Sequence, residues 1–158
     1  MNCKPMLFML AMLSLSAQAA QSARTLEHKD WEVACDNTLT CRIAGYGKEE
    51  DPSGSILLTR DAGPGIEPTG EVTLGDTEDD SEPAEKLTLW IDGKPAGDLL
   101  AADDNWQMSA SQTSAVIKAV KGSGKVEFKG GSKPFMLSNE GAYAVLLKAD
   151  DVQGRIGT

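Results

Sequence analysis

A chain of 158 residues with 24 acidic and 15 basic side chains carries a formal charge of −9. Such a surface repels phosphate backbones and anionic headgroups, which sets nucleic acid and membrane surfaces aside as partners. One histidine and three cysteines are too few for a well-furnished zinc centre, and the length suits a single domain able to bury roughly two-thirds of its unfolded surface.

The first residues have the three parts of a secretory leader. Lys4 gives the positive start, Met6 to Leu15 is an apolar run, and Ala17-Gln18-Ala19 is an A-x-A site. Cleavage after Ala19 is expected, so residues 1–19 are the leader and residues 20–158 one mature domain. The apolar run is far shorter than the roughly 20 residues a membrane span needs. Cys3 leaves with the leader, and no membrane insertion of the mature chain is expected.

Trp31 to Cys35 and Cys41 to Ala44 both alternate apolar with polar or small residues, the period of strands. Asp36-Asn37-Thr38 between them is turn chemistry. If Cys35 faces Cys41, then Val33 faces Ile43 and Trp31 faces Gly45, all on one side. Two cysteines six positions apart in an exported chain predict a disulfide, with no spacing for an oxidoreductase or a metal.

Further along, Ser55 to Arg60 and Gly70 to Leu74 read as strands, separated by Gly63-Pro64-Gly65 and Pro68. Gly75 to Lys86 holds six acids, one lysine and Pro83, and predicts a solvated, flexible loop. A calcium site there lacks the spacing of an EF-hand. Leu87 to Ile91 runs into Asp92-Gly93, a hairpin signal, although Pro95 weakens the returning arm. Gln112 to Lys121 predicts a helix capped by Ser111 or Thr113, with Gly122 left-handed at its end and Val116, Ile117 and Val120 facing the core. Lys125 to Lys129, alternating around Val126 and Phe128, and Phe135 to Leu137 form a hairpin around Gly130-Gly131. Asn139 to Val152 is a second helix, capped by Ser138 and stopped by Gly154, with Ala142, Val145, Leu146 and Ala149 inward.

Reactive motifs are scarce. Ala119 to Lys125 echoes a phosphate loop, but Val126 stands where Ser or Thr should bind magnesium. No G-x-S-x-G elbow occurs, and a serine triad could draw only on His28. Trp31, Trp90 and Trp106 could line a sugar platform or pack internally, and packing is the commoner use. No catalytic residue, cofactor or metal is expected.

Asp30 to Thr38, Cys41-Arg42, Ala44-Gly45-Tyr46, Ser55 to Arg60 and the closing stretch from Gly141 to Thr158 resemble an exported bacterial family, domain of unknown function 1176. The Asp-Trp-x-Val-x-Cys opening is also similar to that of the invasion-associated locus B family. The resemblance implies a periplasmic or secreted location and supplies no activity. Family members continue past Gly157-Thr158, so it also implies that this chain corresponds to the family's N-terminal part.

The expected fold is α+β: antiparallel hairpins, the first stapled by Cys35–Cys41, then helix, hairpin and helix packed on the sheet. The expected function is non-enzymatic, an exported module binding another envelope or host protein. The alternatives are a periplasmic hydrolase of glycan or peptide using carboxylates, and a truncated fragment without function.

Overall fold

A computed structural model describes residues 24–48, 53–75 and 84–155. The leader with its Ala19 site and the acidic stretch from Asp76 to Pro83 lie outside the described residues.

The stapled segment folds as its alternation dictates. Strands β2 (Trp31–Cys35) and β3 (Cys41–Tyr46) pair with Trp31 opposite Gly45, Val33 opposite Ile43 and Cys35 opposite Cys41. A disulfide joins Cys35 and Cys41. The Asp36 carboxylate organises the turn, accepting from the Thr38 hydroxyl and from the backbone N–H groups of Thr38 and Thr40. The Thr38 bond is the chief cause of its depressed pKa.

Strand β1 (Thr25–His28) precedes this hairpin and pairs with β2, so the stapled hairpin is the second along the chain. Strands β4 (Gly54–Arg60), β5 (Thr69–Leu74), β8 (Leu100–Ala101) and β9 (Trp106–Met108) complete an antiparallel sheet ordered β1-β2-β3-β4-β5-β9-β8. Its inner face is built in transverse rows. One row is Trp31, Gly45, Ile56, Val72 and Trp106, and the next is Val33, Ile43, Leu58, Gly70 and Met108. In each row a large side chain lies over a glycine: a Cβ on Gly45 would stand 2.6 Å from the Trp31 ring, and one on Gly70 2.4 Å from the end of Met108.

The second sheet is ordered β11-β10-β6-β7, from β6 (Thr88–Ile91), β7 (Lys94–Asp98), β10 (Val126–Lys129) and β11 (Phe135–Leu137). Asp92 (φ 50°) and Gly93 (φ 76°) are both left-handed, as the tight Asp-Gly hairpin turn requires. Pro95 is accommodated because β7 is an edge strand, where a missing N–H costs no ladder bond.

Helix α1 (Ala110–Lys121) lies between the sheets, against β5 and β9 of one and β6 and β10 of the other. Its cap is Ser109, not Ser111 or Thr113: the Ser109 hydroxyl accepts from the Gln112 N–H while the Gln112 side chain accepts from the Ser109 N–H. That reciprocal box satisfies two N–H groups at once, which neither predicted cap does. Gly122 ends the helix at φ −103°, so it is not the left-handed terminator expected. Val116 and Val120 are buried as predicted, with Ile117 packed beside them.

Helix α2 (Ala142–Val152) covers β1, β2 and β3 and touches α1. It begins three residues later than predicted, and Ser138 is not its cap. Gly141 holds that position at φ 95°, with no side-chain cap bond. A Cβ there would fall 1.9 Å from the His28 carbonyl, so only glycine lets the helix start this close to the β1–β2 turn. Ala142, Val145, Leu146 and Ala149 face the core as predicted, and Gly154 (φ 68°) follows its end.

Candidate functional site

Helix α2 is fastened at both ends. At its start the Trp31 indole donates to the Ser138 carbonyl at 2.7 Å, buried from water. The Asp30 N–H donates to the Glu140 carbonyl, and the Ser138 hydroxyl donates to the Asp30 carboxylate. At its end Asp150 pairs with Arg60, the last residue of β4, at 2.6 Å, with both side chains under a tenth exposed. Lys121 of α1 approaches the same carboxylate at 3.8 Å. Gln153 donates to the carbonyls of Leu39 and Arg60, and Arg155 donates to those of Asp61 and Gly63.

This clamping fixes which flank of α2 faces outward. Tyr143 and Leu147, one turn apart, are 59 % and 49 % exposed. Beside Leu147, Leu26 of β1 is only partly buried, although its register partner Val33 is 2 % exposed. Leu26, Ala144 and Leu147 line an open, mainly apolar groove of about 450 Å³, rimmed by Lys148, Asp150, Asp151 and Arg155. A contiguous apolar face with a charged rim is the usual make-up of a protein-docking surface. Sequence reasoning missed it. The traces were Tyr143 and Leu147, large apolar residues at i, i+4 on the wrong side of a helix whose inward face was already complete.

On the opposite face of the same strands lies a second, larger groove of about 480 Å³, lined by Glu27, Lys29, Asp30, Glu32, Tyr46, Lys48 and their neighbours. Glu27 of β1 stands directly across from Glu32 of β2, a like-charge pair. The Tyr46 phenol donates to Glu32 at 2.6 Å. That bond, then desolvation, then the charges of Glu32 and Glu27, push its pKa up to about 12. Tyr46 therefore stays protonated at neutral pH, as a donor engaged with Glu32.

The residues considered from sequence are dispersed. Cys35 and Cys41 are consumed by their mutual bond, with Cys41 fully buried. His28 stands at the end of β1 opposite Trp31. Trp31 and Trp106 lie in one inner row of the first sheet, whereas Trp90 lies in the second sheet with the Lys129 ammonium 4.0 Å from its ring centre. They do not form a common platform. Among the described residues no group of three or more His, Cys, Asp or Glu is placed to hold a metal, and no helix is long and apolar enough to cross a membrane.

The sequence profile of a family described as protein of unknown function (DUF1176) matches residues 25–158, and the chain belongs to that family. No curated protein and no solved structure matches the chain, and the likeness to the invasion-associated locus B family is not among the matches.

Proposed function

We propose that this DUF1176 member is an exported, non-enzymatic module that docks a protein of the envelope or of a host on the flank formed by β1 and α2. The observation that carries the reading is the exposed apolar face of Leu26, Tyr143, Ala144 and Leu147, held rigid because α2 is clamped at both ends. A soluble domain with no partner gains nothing by keeping two large apolar side chains of one helix half in water. Export is supported by the leader-like start of the chain and by the Cys35–Cys41 bond, which persists in oxidising compartments.

The test is affinity purification of the tagged protein and its Leu147→Glu variant from envelope extract. A partner retained by the wild type and lost from the variant, with unchanged thermal stability, supports the reading. A partner set that the substitution leaves untouched places binding elsewhere.

The carboxylates of Glu27, Asp30 and Glu32 around one groove support a second reading, a carboxylate-dependent hydrolase. Turnover of peptidoglycan or a chromogenic glycoside that is abolished by Glu32→Gln would favour it. Absence of turnover, or turnover indifferent to that change, would remove it.

A further inference from the structure

The docking flank is bordered by a sheet edge. β1 ends the order of the first sheet, and no other described strand pairs with its outer side. His28 and Trp31 flank a two-residue turn and are paired, so they exchange both backbone hydrogen bonds. Alternation along the ladder then makes Leu26–Val33 hydrogen-bonded to each other and Glu27–Glu32 not. The N–H and C=O of Glu27, and those of Thr25, therefore point away from β2, toward the open edge.

The two sides of this edge differ chemically. Leu26 faces the apolar groove under Ala144 and Leu147. Glu27 faces the other way and meets Glu32, and their like charges repel. A strand laid along β1 would find backbone partners, a hydrophobic slot for one set of alternate side chains, and two carboxylates for the other set. Lys29 and Lys48 line the same groove and Tyr46 donates to Glu32, while His28 ends the strand; Glu27 and Glu32 remain direct register partners across the ladder.

We infer that β1 accepts an extended segment of another protein, with apolar residues alternating with Lys or Arg, added as an eighth strand under the flank of α2. Recognition of this kind takes affinity from main-chain bonds and specificity from alternate side-chain pockets. Charge argues for a foreign partner over a second copy. Self-pairing of β1 would bring Glu27 and Glu32 of two chains together, between molecules that each carry a charge of −9. The inference rests on the docking reading above and specifies its mode and the partner's chemistry.

The experiment is a titration of the full-length expressed chain with a fluorescent peptide of about eight residues alternating Val and Lys. Its controls are a Val–Glu peptide and a block peptide with all Val before all Lys. The alternating Val–Lys peptide should bind, and both controls should bind at least about tenfold more weakly. Three variants dissect the contact. Glu27→Pro removes the outward N–H together with the Glu27 carboxylate but no β1–β2 ladder bond, so binding should be lost while the denaturation midpoint holds. Leu147→Glu should weaken binding about tenfold or more. Glu27→Lys should reverse the preference between the Val–Lys and Val–Glu peptides.

No binding of the Val–Lys peptide, or equal binding to Glu27→Pro, overturns the inference. So does light scattering showing a dimer that Glu27→Pro dissociates, which would make the occupant a second copy. Binding that emerges only after residues 1–23 are removed also overturns it, because the chain's own start would then fill the edge. A partner lost from Leu147→Glu but retained by Glu27→Pro would overturn strand addition while leaving the docking reading in place.

Discussion

Substitution of Gly45 by alanine probes the packing that seats α2. Gly45 has no positive φ, so an alanine there meets no backbone strain. The new Cβ would instead stand 2.6 to 2.8 Å from three carbons of the Trp31 six-membered ring. Real carbon contacts are about 3.5 Å or longer, so the ring must retreat by close to 1 Å. Trp31 is 1 % exposed and packed within the core, so its retreat must displace neighbouring side chains. Overpacking a core costs about 1–3 kcal/mol. Retreat also stretches the 2.7 Å bond from the indole N–H to the Ser138 carbonyl, and an orphaned buried donor costs about 1–3 kcal/mol more. The expected loss is about 2–6 kcal/mol, or a fall in Tm on the order of 10 °C for a domain of this size. Urea denaturation with the disulfide intact measures it. Trp31→Phe removes the clashing carbons, so in that background Gly45→Ala should cost under about 1 kcal/mol. A Gly45→Ala protein within about 0.5 kcal/mol of the wild type would refute the contact.

Other expectations follow from single contacts. Replacing both Cys35 and Cys41 by serine frees a seven-residue loop and should cost about 2.4 kcal/mol by chain entropy, read as a lower urea midpoint, while mass measurement before and after reduction should show the one bond. Asp150→Ala strands the buried Arg60 guanidinium and should cost about 3–5 kcal/mol, whereas the paired change Arg60→Met with Asp150→Leu should cost clearly less. Tyr46 has a folded pKa above that of a free phenol. Its bond to Glu32 therefore stabilises fully below about pH 10 and is lost as pH rises through about 12. Phenolate absorbance should show one of the two tyrosines ionising near 12, and Glu32→Gln should bring that component down toward 10.

The stapled hairpin was legible because a period of two and a fixed turn leave one register that buries Trp31, Val33 and Cys35 together. The inward stripe of α2 was legible for the same kind of reason, since burial imposes its own period. β1 was not, because an edge strand needs only one inward residue, here Leu26, and one apolar residue makes no pattern. β8 and β9 span two and three residues, too short to show any period. The cap of α1 was misread although Ser109-Ala110-Ser111-Gln112 carries the capping-box pattern. The start of α2 could not be read locally, since Ser138 is spent on Asp30 and on the Glu140 N–H, and Gly141 is required by the His28 carbonyl far back in the chain. The exposed apolar flank exists only once an edge strand and the outer side of a distant helix come together.

Site-specific photo-crosslinking in living cells tests the docking account most directly. A photoreactive residue at position 147, or at 26, should yield one discrete protein adduct. The same residue at position 100, 73 % exposed at the far end of the first sheet, should yield none. Absence of an adduct at 147 and 26, or the same adducts from position 100, would contradict the claim that the β1–α2 flank is where this protein meets its partner.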